Sequence, residues 1–155
     1  MAYDLDELYE HVVMEHSRNP RNLRKLDSAN VSADGFNPFC GDKITLYMEV
    51  DEQAVIREVG IDATGCAIFK ASASMMTEAI KGKTTADARQ VFDAFRHLLT
   101  SPPGEEVDAE LLGDLEFLGG VVQYPVRIKC ATLSWHTLNA ALNGQQASGQ
   151  MARTE

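Results

Sequence analysis

Leu5, Leu8, Tyr9 and Val12 recur at the three-and-four spacing of one helical face, and Asp4 followed by Glu7 resembles a capping box. This predicts a first helix from about Asp4 to His16, ending against the turn-forming stretch Asn19-Pro20-Arg21-Asn22. Ser28 to Phe36 carries no decisive pattern, although a short strand containing Val31 is compatible with it. From Lys43 to Val50 the chain alternates. Ile44, Leu46, Met48 and Val50 face one way and Lys43, Thr45, Tyr47 and Glu49 the other, the period of a half-buried strand. Asp51 to Gln53 turns the chain back, and Val55, Val59, Ile61 and Ala63 line one face of a returning strand, so the two form an antiparallel hairpin.

After Gly65 the residue types change to Ala, Ser, Met and Ile, which predicts a helix from about Cys66 to Lys81 that stops at Gly82. Ala88, Val91, Phe92, Phe95 and Leu98 repeat at helical spacing behind Thr84-Thr85, and Ser101-Pro102-Pro103-Gly104 ends that helix. Leu111, Leu112, Leu115 and Leu118 mark a shorter helix closed by Gly119-Gly120. Pro125 can open the last helix from its first turn, running to about Leu142 before Asn143-Gly144. The expected architecture is α+β, a small antiparallel sheet packed with five or so helices, in a single domain over residues 1–144. Residues 145–155 are small and polar and are expected to form a disordered tail.

Composition narrows the function. A 155-residue chain with 45% hydrophobic content builds an ordinary core without needing a metal to hold it. A formal charge of −9 argues against nonspecific nucleic-acid binding, which needs clustered Lys and Arg, and fits a basic protein partner. The one basic run, Arg18, Arg21, Arg24 and Lys25, reads first as a solvated loop and second as a docking element. No apolar run reaches the length of a membrane span, and Met1 to Glu10 is acidic where a secretory leader would be basic and then apolar. The expected location is the cytoplasm, where an odd count of 3 cysteines stays reduced.

Those cysteines carry the chemistry. Cys40 and Asp42 stand two residues apart in Asn37-Pro38-Phe39-Cys40-Gly41-Asp42, where Pro38 and Gly41 allow a tight turn that aims both side chains at one point. Cys66 and Cys130 each stand near a predicted helix start, where the positive end of the helix dipole favours a thiolate, the form that binds metal. The hairpin brings Cys66 back beside the Cys40 turn, because one strand leaves that turn and the next returns to the helix. Any one cysteine alone would be read as packing, and Asp42 alone as a turn residue. Together, Cys40, Asp42, Cys66 and Cys130 are four anionic ligands, a complete set for Zn(II) or for a small iron–sulfur cluster with one oxygen ligand. His11, His16 and His97 fall on predicted surface or helix-edge positions without ligand spacing, and His136 lies six residues past Cys130 as a weaker candidate. The Met75-Met76 pair reads as core. No phosphate loop, Ser-His-Asp set or dinucleotide fingerprint is present.

Three ordered stretches, Asn37 to Asp42, Thr64 to Met76 and Tyr124 to Trp135, together with the early His16-Ser17-Arg18-Asn19-Pro20-Arg21-Asn22, resemble the signatures of the IscU/SufU/NifU N-terminal family of iron–sulfur assembly proteins. The resemblance covers about Asp4 to Asn143 and implies a SufE/NifU-like fold, with about three strands and the site at one end of the sheet. It places Cys40, Asp42, Cys66 and Cys130 at the family's metal or cluster positions. Within the family the chain resembles the SufU branch. Lys129, not histidine, precedes the third cysteine, Gln123-Tyr124-Pro125-Val126-Arg127 replaces the Leu-Pro-Pro-Val-Lys chaperone motif of the IscU branch, and a Pro-Gly-containing segment spans Ser101 to Asp114.

That branch implies a zinc-dependent acceptor of persulfide sulfur from a SufS-type cysteine desulfurase, a sulfurtransferase-like carrier rather than a stand-alone enzyme. Cys40 would be the attacking thiolate, freed by ligand exchange with a histidine of the desulfurase. The alternative is a scaffold on which the same four ligands hold a labile [2Fe–2S] cluster for a downstream assembly protein or apo-acceptor. A purely structural zinc domain ranks last, because structural sites favour Cys and His over aspartate.

Overall fold

The computed structural model describes residues 5–38, 41–101, 106–143 and 151–153, and the side chains of all of these except 5–10 and 151–153. The alternation read from Lys43 to Val50 forms the central strand of an antiparallel meander, β1 (Val31–Phe36), β2 (Lys43–Val50) and β3 (Ile56–Thr64). Ile44, Leu46 and Met48 are buried beneath the helices, while Thr45 and Tyr47 are half-exposed on the other face. Phe36 pairs with Lys43, and Lys43 with Thr64, so three strand ends align at one end of the sheet. Ser28 to Phe36, undecided in the sequence, supplies β1. Its pattern is weak because Gly35 stands where α5 (Pro125–Leu142) crosses closest, and a Cβ there would overlap Thr137 Oγ1.

The returning strand departs from strict alternation. A bulge sets Val50 opposite Ile56 and Glu49 opposite Glu58, leaving Arg57 as an extra residue. The phase flips there, so Ile56 takes the core position predicted for Val55, which is only half-buried. Val59 and Ile61 are buried as read.

α2 (Ala67–Ile80) is the centre of the helical layer, packed by α1 (Leu5–Arg18), α3 (Thr85–Thr100), α5 and β3. It is buried nearly all round, from Phe69 through Met75 and Met76 to Ile80, which is why its sequence is small and apolar rather than amphipathic. Each large side chain buried there contributes about 1.5–3 kcal/mol. Its hydroxyls are satisfied within the core: Ser72 donates to the Ala131 carbonyl and accepts from Trp135 Nε1 at 3.2 Å. Among α3 residues, Leu99 rather than Leu98 takes the last core position. The Ser101 N–H caps that helix on the His97 carbonyl.

Leu112, Leu115, Leu118 and Val121 are buried at a period of three, which suits a 3₁₀ helix better than an α-helix. The predicted short helix is accordingly a single α turn, α4 (Ala109–Leu112), followed by a 3₁₀ segment Gly113–Gln123 that runs through Gly119-Gly120 instead of ending there. A second difference lies in the tail. Met151–Arg153 forms a short strand, β4, parallel to β1 with Asp34 opposite Met151 and Phe36 opposite Arg153. The outer edge of β1 carries unpaired backbone groups, and an extended tail segment satisfies them whatever its side chains. Residues 145–150 and 154–155 of that tail, Gly144 of the last helix's predicted end, Asp4 of the predicted capping box, and Pro102-Pro103-Gly104 lie outside the described residues.

His16 is also not at the surface. It is buried, with Nδ1 2.7 Å from Ser74 Oγ and Nε2 3.6 Å from the Glu78 carboxylate. The same Ser74 hydroxyl accepts the Arg21 N–H at 2.8 Å, and Asn22 Nδ2 donates to Thr77 Oγ1 at 2.9 Å. Asn22 takes a left-handed conformation, φ 59°, that asparagine tolerates, so the His16 to Asn22 stretch is a clamp holding the chain on α2. Among the described residues no helix is long and apolar enough to cross a membrane.

Burial, with the Arg21 charge adding to it, lowers the His16 pKa below 6.5 against the opposing pull of Glu78, Asp114 and Glu15. The fold therefore favours neutral His16, and its stabilisation is full above pH 6.5 and declines as pH falls below it. The stability gap between wild type and His16→Asn, read from urea midpoints, should be largest above pH 6.5 and narrow at lower pH. A gap independent of pH between about 5 and about 7.5, a range that brackets the ordinary histidine value, would contradict this placement.

A candidate metal centre at the end of the sheet

Asn37 to Asp42 is the connection between β1 and β2, so the turn that sequence spacing singled out sits where the strand ends align. The Asn37 N–H donates to the Asp42 carbonyl at 2.9 Å and the Gly41 N–H to the Asn37 carbonyl at 2.8 Å, closing the turn on itself. Gly41 has φ 74°, a conformation that glycine takes without strain. Asp42 is completely buried at the mouth of β2.

β3 returns to the same end, and two residues beyond it Cys66 occupies the N-cap position of α2. Its backbone N–H donates to Asp42 Oδ1 at 2.9 Å, and its Sγ lies 3.9 Å from Oδ2. The same sulfur accepts the Phe69 N–H at 3.5 Å, so the thiol stands in for the Ser or Asp that usually caps a helix. Gly65 makes the approach possible: a Cβ at that position would overlap Asp42 Oδ1 and press on the Phe69 ring.

Cys130 arrives from α5. Pro125 occupies its first turn, as its missing N–H permits, and Cys130 lies in the second turn, fully buried. One ligand atom from each of Asp42, Cys66 and Cys130 lies within 4.8 Å of the others. Tetrahedral zinc with bonds of about 2.0–2.3 Å needs donors within roughly 4 Å of one another, so three anionic donors of the right kind converge at nearly the required spacing. Cys40, two residues before Asp42 in the chain, lies outside the described residues.

The histidines fall elsewhere. His136 is half-buried with its ring edge-on to Phe92, 5.5 Å between centroids, and burial beside Arg96 lowers its pKa. His16 is the Ser74 partner described above. Neither joins the Asp42, Cys66 and Cys130 group among the described residues. Sequence reading missed Gly65, whose role is clearance rather than chemistry; the signal was a glycine directly before a candidate ligand.

Asp42 has a role in the fold besides any metal. Asp42→Ala removes the acceptor of a part-buried N–H at the start of α2 and should cost about 1–3 kcal/mol even in protein stripped by chelator. Equal urea midpoints for the stripped variant and stripped wild type would show that the contact contributes nothing.

Residues 8–131 match the family model described as the NifU-like N-terminal domain. The chain is 45% identical over 136 residues to the zinc-dependent sulfurtransferase SufU of Bacillus subtilis, spanning 87% of this chain and 89% of the relative. It is 39% identical to the iron–sulfur cluster assembly scaffold protein IscU of Streptococcus pyogenes over 89% of this chain and 84% of that one. Among solved structures, a candidate iron–sulfur cluster assembly scaffold for the SUF system from Fervidobacterium islandicum superposes with a TM-score of 0.79 at 34% identity, over 88% of this chain and 97% of that one.

Proposed function

The chain belongs to the NifU-like N-terminal domain family, and from that premise we propose that it serves iron–sulfur cluster assembly as a zinc-dependent carrier, accepting persulfide sulfur from a SufS-type cysteine desulfurase. The observation that carries this reading is the convergence of Asp42, Cys66 and Cys130 at the sheet end, with Cys40 two residues before Asp42 in the sequence. The likeness to the Bacillus subtilis sulfurtransferase supports zinc as the metal, and the absence of a histidine at position 129, where Lys129 stands, supports the same branch. The protein would act in the cytoplasm as a carrier rather than as a stand-alone enzyme.

Cys40, Asp42, Cys66 and Cys130 would hold the metal, a donor set of three thiolates and one carboxylate. Zinc, when bound, keeps those thiols deprotonated at neutral pH. Asp42 orients Cys66 through its backbone N–H, and Gly65 leaves the clearance for that contact. Cys40 is the nucleophile. Its thiolate attacks the terminal sulfur of the desulfurase persulfide; a new sulfur–sulfur bond forms on Cys40, the bond between the two desulfurase sulfurs breaks, and the electron pair leaves with the desulfurase cysteine thiolate. No net oxidation occurs, so the sulfur can pass on to a downstream assembly protein by the same exchange.

The second reading, suggested by the likeness to the Streptococcus pyogenes scaffold, has the same residues hold a [2Fe–2S] cluster as cargo. Two variants separate the two. For a carrier, Cys40→Ser abolishes persulfide acceptance, while Asp42→Ala lowers turnover about 10- to 100-fold but leaves labelled persulfide detectable on Cys40. For a scaffold, Asp42→Ala changes the lifetime of a reconstituted cluster and leaves desulfurase turnover at the wild-type rate. Stimulation of the desulfurase by Cys40→Ser at the wild-type rate would sink the carrier reading.

A further inference from the structure

The basic run at Arg18, Arg21, Arg24 and Lys25 is not used by the metal centre. Arg21 pairs with Glu15 at 3.3 Å and Arg24 with Glu58 at 2.7 Å. Arg18 has no carboxylate partner among the described residues, and neither has Lys70 on α2, one turn beyond Cys66. In a chain with a net charge of −9, two cations without acidic partners facing one cavity is a notable asymmetry. Both line a groove of about 260 Å³ whose other walls include Pro20, Leu23, Ile61 and Ala63. Leu23 is 52% exposed there, an apolar side chain with nothing covering it in the monomer.

One wall of this groove is an incomplete sheet edge. β3 is the terminal strand of the sheet, and its free side is partly occupied: Leu23 bridges Ile61 in parallel, and the Ile61 N–H donates outward to the Asn22 carbonyl at 2.9 Å. In an antiparallel ladder, alternate residues turn their N–H and C=O to the same side. Ala63, two residues after Ile61, therefore turns both groups outward into the groove, where no backbone partner meets them among the described residues.

We propose that this groove docks an extended, acidic segment of a partner protein, which continues the β3 edge at Ala63. A carboxylate of that segment lies between Arg18 and Lys70, and an aliphatic side chain covers Leu23 and Pro20. Strand addition supplies affinity through the main chain, and the side-chain contacts supply the selection. Charge complementarity against an otherwise acidic surface favours an acidic segment over a neutral one. Ala63 lies at the end of β3 and Lys70 in the first turn of α2, on either side of Cys66 along the chain, so the segment would bind the strand end and helix start that carry that ligand, whichever metal or cargo the site holds.

The test uses the full chain with its native metal content and a library of displayed decapeptides. Selection should enrich peptides in which Asp or Glu alternates with Val, Ile or Leu. Synthesised representatives should bind roughly tenfold more weakly to the Arg18→Glu, Lys70→Glu double variant. Both substitutions fall on side chains that reach solvent, and matching circular dichroism and melting temperature would establish that the fold is intact. Leu23→Asp, which opposes the acidic segment without touching either cation, should weaken binding as well. Slowed amide exchange at Ala63 on peptide binding distinguishes strand addition from side-chain contact alone. No enrichment, peptides without acidic positions, affinity unmoved by charge reversal, or unprotected Ala63 would each overturn the proposal. Full displacement of the peptide by inorganic phosphate at equal concentration would also overturn it, assigning the groove to a small anion.

Discussion

A carboxylate taken completely out of water must be met by donors, and Asp42 is met by the N–H of Cys66, the residue that caps the central helix. That single bond joins the β1–β2 turn to the start of α2, the two elements that carry Asp42 and Cys66. Everything around it is arranged so that it can form. Gly65 leaves room for the oxygen, the closed turn from Asn37 to Asp42 fixes the carboxylate's origin, and Cys66 caps its own helix so that the N–H points outward. Substituting any of these positions moves a ligand by way of the backbone, not only by way of its side chain.

Holding that bond in place requires α2 to be immobile, and α2 is the most enclosed element of the fold. Its Ser72 is tied to α5 through the Ala131 carbonyl and Trp135, and Ser74 and Thr77 are tied to the His16 to Asn22 clamp. The small residues of α2 let the surrounding helices approach, and the hydroxyls among them replace apolar contacts by specific ones that fix rotation about the helix axis. α5 in turn carries Cys130, and its Trp135 packs against Phe92 and Phe95 of α3. The third ligand is thus delivered by the same packing that immobilises the second.

Much of this arrangement was legible in the sequence because it rests on periodicity and spacing. The alternation in β2, the hairpin that returns Cys66 to the first turn, the Pro125 helix start and the α2 stop near Gly82 are all local signals with local causes. What the sequence concealed depends on contacts between distant residues. β1 could not be read because Gly35 answers to α5 rather than to strand propensity. His16 read as surface because its partner is Ser74, fifty-eight residues away. The bulge at Arg57 left no local mark, and the period of three in Leu112, Leu115, Leu118 and Val121 is a 3₁₀ signal that a helical template absorbs as imperfect α. The short strand at Met151–Arg153 is supported by the edge it meets, not by its own composition.

Cys40, Asp42, Cys66 and Cys130 acting as one ligand set can be tested without any partner or assay of transfer. Zinc-edge X-ray absorption on protein purified without air reads the identity and distance of the coordinating atoms directly. The expected first shell is three sulfurs at about 2.3 Å and one oxygen at about 2.0 Å. A shell of nitrogen and oxygen alone, or zinc lost on dialysis against metal-free buffer, would contradict it.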